Sequence, residues 1–492
     1  MSRDQTKVHS VKYNLIMNAI LNGTQVLFPL ITFPYISRVL GAEGNGKVSF
    51  ATSVAYYFMM VASLGIPTYG IRACARVRDD KDELSRTVQE LLIIGTVMTA
   101  LVSVIYFASV LLVPRFAAEK MLFYINGINV VLGIFGVNWV YQALEQYDYI
   151  TARSVFFKLL SLVLMFALIH KQSDYVIYGA ILVLATVGSN ILNLLRLRRI
   201  ISFKRFGEYD LRRHLKPVFT LFAQSLAISV YTNLDTVMLG FMKTDVDVGY
   251  YNAAVKVKTV LVTIVASLGN VLLPRMSYYA GNKEMDKFRQ YVHKAINLEL
   301  LMGVAVSVYF TLFSAQVICF LAGAGYDGAI LPMQIITVTV LPIGLTTILG
   351  IQVLTSLEKE ALVLRSVLCG AIVDFVLNLL LIPGFAASGA AFATTVTEFV
   401  VLAVQMYYTK DLLREIRDKI RAGRYILLGA VSGLLSCPVL MLHRSVFLTL
   451  MLSAAVYFTA YLAGLFLVRE PVVLETADWI TGKFLKKHRK ND

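Results

Sequence analysis

Ionisable and amide side chains set inside long apolar runs are the residues of this sequence that could do chemistry. Asp235 sits in YTNLDTVMLG, and Lys256 and Lys258 follow in the next apolar run, with Asn252 one helical turn before Lys256. Asp374 and Asn378 are four residues apart in a later run, and Glu398 comes soon after Thr394 and Thr395. A charge in hydrocarbon is costly unless it is paired or hydrated. Each of these residues therefore marks either a structural ion pair between helices or a watery cavity. In the cavity reading the lysines meet an anionic substrate, while Asp235, Asp374 and Glu398 pair them or carry a coupling ion, H+ or Na+. Asn14, Asn18 and Asn22 recur at i, i+4 and i+8, with Gln25 close to the same face. That spacing stacks them into one polar stripe, which either lines a path or hydrogen-bonds neighbouring helices. Arg38 and Arg72 bracket the first apolar hairpin, where they bind a headgroup or anchor helix ends. Lys158 and Glu299 fall near enough to span ends to reach the interface by snorkelling.

The elements that must position these groups are membrane helices. The chain has 492 residues, of which 57% are hydrophobic and only 16% charged, with a mean hydropathy of +0.68. That balance predicts an all-α polytopic membrane protein. About fourteen apolar runs can each cross a ~30 Å hydrocarbon core, near 13–38, 47–70, 87–113, 121–144, 154–170, 175–195, 217–241, 249–273, 295–313, 330–356, 361–382, 387–408, 425–442 and 446–468. The net charge of +15 sits in short clusters between them, which suits cytoplasmic loops beside anionic lipid better than nucleic acid. Lys and Arg concentrate in 72–86, 196–216, 275–294, 410–424 and the tail 483–490, and are sparse in the alternate loops. The positive-inside rule then puts both termini in the cytoplasm, in agreement with an even number of spans. The first run is too long for a signal-peptide core and is expected to persist in the mature protein. Cys74, Cys319, Cys369 and Cys437 form no CxxC, and no Walker A pattern is present. No disulfide framework, metal site, cofactor or nucleotide-driven pump is expected.

The chain also repeats. Leu40-Gly41, Gly46 and Ala62-Ser63-Leu64-Gly65 before Pro67 return in order as Leu239-Gly240, Gly249 and Ala266-Ser267-Leu268-Gly269 before Pro274. Parallel six-helix repeats are a transporter architecture built around a central site. The expected organisation is a first lobe at 1–200, a second at 201–424 after a basic linker, and two further helices with a basic tail at 425–492. Pro29, Pro34 and Pro67 should bend the first two spans.

Six stretches carry a family resemblance: TFPYISRVLGAEGNGKVSFA (32–51), SLGIPTYGIRACARVRDD (63–80), NWVYQALEQYDYITARS (138–154), NLDTVMLG (233–240), VGYYNAAVKV (248–257) and VLLPRMS (271–277). In these the chain resembles the polysaccharide or O-antigen flippases (Wzx) of the multidrug/oligosaccharidyl-lipid/polysaccharide (MOP) exporter superfamily, whose fold is MATE-like. The resemblance implies two six-helix lobes around a central cavity, plus two C-terminal helices. It also implies flipping of undecaprenyl-diphosphate-linked oligosaccharide repeat units across the cell membrane by alternating access, with a polymerase of the same glycan as a prospective partner. Asp235, Lys256 and Lys258 fit its charged cavity positions, with Arg38 and Arg72 less secure. One departure stands out: the first lobe is rich in amides where the related lipid II flippases are rich in arginine. The alternatives are a drug or cation antiporter of the same superfamily, and a membrane enzyme of glycan assembly. The enzyme would need larger outer loops bearing catalytic groups than this sequence has.

Overall fold

The computed structural model describes residues 11–204, 207–270, 273–442 and 444–471. Of the stretches singled out above, the tail 483–490, residues 205–206 of the linker, residues 271–272 of VLLPRMS and residue 443 lie outside these. There is no strand among the described residues, as hydrocarbon demands of a chain that is not a closed barrel, since a helix satisfies its own backbone groups. The helices of the N-terminal part are α1 (Val11–Ser63), α2 (Ile66–Arg76), α3 (Lys81–Leu112), α4 (Pro114–Ala117), α5 (Lys120–Leu132), α6 (Asn138–Ala143), α7 (Tyr147–Leu168) and α8 (Tyr175–Ile200). They are followed by α9 (Arg212–Met242), α10 (Asp245–Asn270), α11 (Leu273–Gly281), α12 (Met285–Leu312), α13 (Ser314–Ala322), α14 (Ile330–Thr337) and α15 (Val340–Thr346). The last are α16 (Glu360–Tyr408), α17 (Lys410–Ile416), α18 (Ala422–Ser436) and α19 (Val446–Leu467).

Among the described residues, ten helical stretches are long and apolar enough to cross a membrane. Two of them each hold two of the runs seen in the sequence. α1 turns at Gly41 (φ 66°) and α16 at Ala386 (φ 47°). The break between the runs 13–38 and 47–70 is thus a turn at one residue, Gly41, and glycine is the residue that enters positive φ without steric cost. α9 and α10, at 31 and 26 residues, have the length but are not among the ten. Fourteen spans therefore stay an expectation. Pro29 and Pro34 lie inside α1 as expected. Pro67 bends nothing: the helix has already ended at Ser63, and Pro67 sits in the first turn of α2, where its missing N–H has no partner to lose. The run 330–356 is likewise broken into α14, α15 and a π-helix at Thr347–Leu354.

The chain divides into two compact units, Met1–Asn252 and Ala253–Asp492. In the first, α1 packs on α3, α5, α7, α8 and α9. The repeat-related glycines meet each other's turns: a Cβ on Gly46 would stand 1.7 Å from the Asp245 carbonyl oxygen, and one on Gly249 would stand 2.0 Å from that of Ala42. Arg115 fastens the same place, donating from Nε to Gly240 O at 2.9 Å and pairing with the Asp245 carboxylate. Phe50 meets Phe241 edge-on, with centroids 5.3 Å apart.

The basic linker before α9 is held down along α3. Glu90, fully buried, accepts from Arg213 Nη2 at 2.6 Å, Asp210 N at 2.8 Å and Arg86 Nε at 3.2 Å. His214 Nε2 lies 2.8 Å from the same carboxylate, and its Nδ1 lies 2.9 Å from the Tyr69 hydroxyl. Gln89 Nε2 adds bonds to Ser202 O (2.6 Å) and Lys204 O (3.0 Å). Burial, the largest single influence, would lower the Arg213 guanidinium, but its hydrogen bonds to Glu90 and Glu83 and their negative charges together hold it above its usual value.

In the second unit α18 and α19 pack on α12. Tyr309 donates to Leu450 O (3.0 Å) and Tyr461 to Leu301 O (2.9 Å). Asn297 bonds Lys419 O at 2.8 Å and Arg421 N at 3.0 Å, and Arg421 pairs with Glu470 at 2.9 Å.

Two stability outcomes follow. Gly46→Ala should destabilise by about 1–3 kcal/mol, because the new methyl overlaps a backbone carbonyl that cannot swing aside. Gly23→Ala, with open space around it, should be neutral or stabilising by up to about 1 kcal/mol. Equal Tm values for the two variants in detergent would show that the turn contact is slack. Glu90→Gln should cost about 2–4 kcal/mol, since it removes the buried negative charge and one acceptor oxygen from Arg213 and Arg86; an unchanged Tm would mean the linker is fastened by other contacts.

Candidate functional site

A cavity of ≈ 570 Å³ opens inside the first unit. The C-terminal end of the α1 stretch and the start of α2 form one side, with Tyr56, Ser63 and Thr68. Thr99 on α3, Asn129 on α5, Thr186 and Asn190 on α8, and Ser225 on α9 supply the others, with Asn138 and Trp139 from α6 and Phe222 from α9. Among the described residues, no side chain of Asp, Glu, Lys or Arg lines it.

Local sequence explains the opening. The run that should have made one helix over 121–144 is interrupted at Gly133–Phe135, a 3-10 turn, and at Gly136 and Val137. α6 then restarts at Asn138. α2 can lie close to α6 because Gly70 has no side chain: a Cβ there would stand 2.4 Å from the Trp139 ring. Asn129 and Asn190 are largely buried, and Asn129 Oδ1 has no hydrogen-bond partner. Amides and hydroxyls beside Trp139, Tyr56 and Phe222 suit a ligand with many polar oxygens on one side and apolar faces on the other.

None of the candidate site residues named from the sequence lines this cavity, although Ala62, Ser63, Leu64 and Gly65 of the repeat motif and Pro67 do. On α1, Asn14 is buried, Asn18 half-buried, and Asn22 and Gln25 exposed. Arg38 is exposed and donates from Nη1 to Pro34 O at 2.7 Å. Arg72 is exposed on α2. Asp235 is buried and accepts from the Tyr251 hydroxyl. Asn252 is half-buried, with Nδ2 on Val248 O at 2.9 Å, and Lys256 and Lys258 are half-buried. Asp374 is brought together with Asn378 (3.0 Å) and Thr397 Oγ1 (3.3 Å), so its two oxygens span the two halves of α16. Glu398 is buried beside Thr397 in sequence.

Two readings of the sequence are corrected. Lys158 does not snorkel; its Nζ donates to Thr24 Oγ1 at 2.9 Å and joins α7 to α1. Glu299 is buried, its carboxyl seated where Gly344 leaves room, 1.5 Å from where a Cβ would stand. The sequence reasoning passed over the cavity amides. Asn126 and Asn129, and again Asn190 and Asn193, stand three apart within apolar runs, a signal of the same kind as the α1 stripe.

Comparison with known proteins gives consistent findings. The family model described as "Polysaccharide biosynthesis protein" matches residues 11–280, and the MatE model matches residues 221–380. A protein of Escherichia coli (strain K12) named for O-antigen transport is 25% identical over 407 residues, covering 82% of this chain and 97% of that protein. The solved structure of the lipid II flippase MurJ in an inward closed conformation aligns with a TM-score of 0.69, over 93% of this chain and 100% of that one, at 13% identity. An inward-facing multidrug resistance MATE family transporter of the MOP superfamily aligns with a TM-score of 0.59, over 82% of this chain and 99% of that one, at 14% identity. At such identities the likeness is one of fold.

Asn129→Leu removes an acceptor that has no partner, so the variant should keep the Tm of the parent or exceed it by the equivalent of about 1 kcal/mol. A fall of several degrees in thermal unfolding would assign the amide a structural role instead.

Proposed function

The chain belongs to the polysaccharide biosynthesis protein family, and on that premise we propose that it is a flippase for lipid-linked oligosaccharide in cell-surface polysaccharide synthesis. It is a multi-pass membrane protein of the MOP superfamily. The observation that carries the reading is the amide- and hydroxyl-lined cavity inside a bundle of apolar helices, which suits a sugar chain. The name of the Escherichia coli relative supports it. The substrate of this reading is a polyprenyl-diphosphate-linked oligosaccharide, undecaprenyl in chain type, moved from the cytoplasmic to the outer leaflet of the cell membrane.

The physical logic is that a diphosphate headgroup cannot cross hydrocarbon unaided, because an unpaired charge there is prohibitive. Lys256 and Lys258, with Arg38 and Arg72, offer cations for the diphosphate. Asn14, Asn18, Asn22 and Asn252 offer amides along the path. Asp235, Asp374 and Glu398 are the candidates to bind a coupling H+ or Na+. Lobes at 1–200 and 201–424 rock to expose the site to either side in turn, with 425–492 appended and both termini cytoplasmic. Movement of net charge would respond to the membrane potential at ~2.3 kcal/mol per charge per 100 mV. No chemical conversion of the substrate is involved.

The test is translocation in proteoliposomes holding the purified protein and a labelled polyprenyl-diphosphate oligosaccharide, scored by enzymatic access to the label on each face. Transfer should depend on protein, and an imposed potential separates charge-driven movement from ion antiport. Lys256→Ala and Asp235→Asn should each cut the rate at least tenfold at equal protein level, and Asn129→Leu should slow it with the fold intact. Normal transfer by all three would remove these residues from the path. Gradient-driven uptake of soluble cations without lipid transfer would favour the antiporter reading.

A further inference from the structure

Arg153 lies on α7 at 5% exposure, which leaves its guanidinium almost no water. Its Nη2 donates to Asn138 Oδ1 at 2.6 Å, and the Tyr149 hydroxyl is a neutral acceptor beside its remaining buried N–H groups. A second guanidinium is close by. Arg196, from α8, stands 3.9 Å from the centroid of the Tyr149 ring, and Arg153 stands 5.3 Å from the same centroid. Arg196 Nη2 donates to Gln146 Oε1 at 3.1 Å. Neither arginine forms an ion pair with a carboxylate among the described residues. Two cations sharing one aromatic residue without a carboxylate counter-ion are an arrangement that burial strongly penalises.

Asn138 connects this pair to the cavity it lines. A guanidinium can only donate, so the Asn138 atom facing Arg153 is the carbonyl oxygen. Asn193 Nδ2 donates to the same oxygen at 3.1 Å. With its oxygen held from two sides, the Asn138 side chain keeps its NH2 group as the free donor, with a positive charge directly behind it. We infer that Asn138, backed by Arg153, is an anion subsite in the wall of this cavity, and that its ligand is a phosphate group of a diphosphate. Arg153 is the positioning residue: it orients the amide and supplies the charge that favours phosphate oxygens over neutral hydroxyls. A diphosphate can reach the site on a polyprenyl lipid or as a soluble ion. The lipid-borne source rests on the flippase reading, whereas the anion subsite itself does not.

The experiment is thermal unfolding of the full-length protein in nanodiscs, titrated in parallel with inorganic diphosphate and with polyprenyl diphosphate. The parent should show a saturable rise in Tm that salt weakens. Arg153→Gln should weaken the half-saturating concentration at least tenfold without lowering the Tm of the unliganded protein, because a buried unpaired charge has gone. Arg153→Lys, which keeps the charge but loses the planar fork, should fall between. Asn138→Asp gives Arg153 an internal counter-ion, so it should raise the unliganded Tm and abolish the response; it decides the matter where Arg153→Gln does not fold. A response to both ligands, or to the lipid alone, supports the subsite and identifies the source. No response in the parent, or an undiminished one in Arg153→Gln or Asn138→Asp, overturns it. Binding without translocation would sink the flippase reading and leave the subsite standing, while translocation without a diphosphate response would do the reverse.

Discussion

A chain that lives in hydrocarbon must satisfy its polar groups from its own atoms, and most of the structure is arranged around that constraint. Backbone groups are closed by helices. Side chains are the harder case, and here they turn back on the protein: Thr32 to Phe28 O at 2.9 Å, Ser37 to Phe33 O at 2.6 Å and Arg38 to Pro34 O at 2.7 Å, all within the proline-bearing part of α1. Asp374 takes Asn378 and Thr397, and Lys158 takes Thr24. Some buried polar atoms lack such a partner, and one of them, Asn129 Oδ1, belongs to a residue that lines the cavity.

Close helix approach depends on a different economy, that of volume. Gly46 and Gly249 allow two turns to meet backbone to backbone, and Arg115 can then reach both Gly240 O and Asp245. Gly70 lets α2 lie on Trp139, which shapes the cavity mouth, and Gly344 makes the room that Glu299 occupies. In each instance a missing side chain on one helix decides where a functional or charged group on another can sit.

The linker between α8 and α9 shows how charge and burial divide the work. Arg198, Arg199 and Arg212 are exposed, as charged residues of a connecting loop should be. Arg213, with His214, is instead drawn onto the buried Glu90, and Gln89 and Ser85 take the backbone around Ser202 and Lys204. A segment that reads as a solvated connection is in fact fitted along the first turns of α3.

Sequence by itself determined the class, because apolar runs of about 20 residues and clustered Lys and Arg leave few alternatives to a helical membrane protein. It also determined the family, since TFPYISRVLG and its companions are local patterns. It placed Asp374 with Asn378, because four residues on a helix are neighbours by geometry alone. Only the tertiary structure decided the cavity. Asn129, Asn138 and Asn190 come from three helices separated by up to 61 positions, and helical spacing carries no information across a loop. The same reason hid Arg153. It directly precedes the apolar run at 154–170, and only the packing of α6 and α8 around it shows a buried cation.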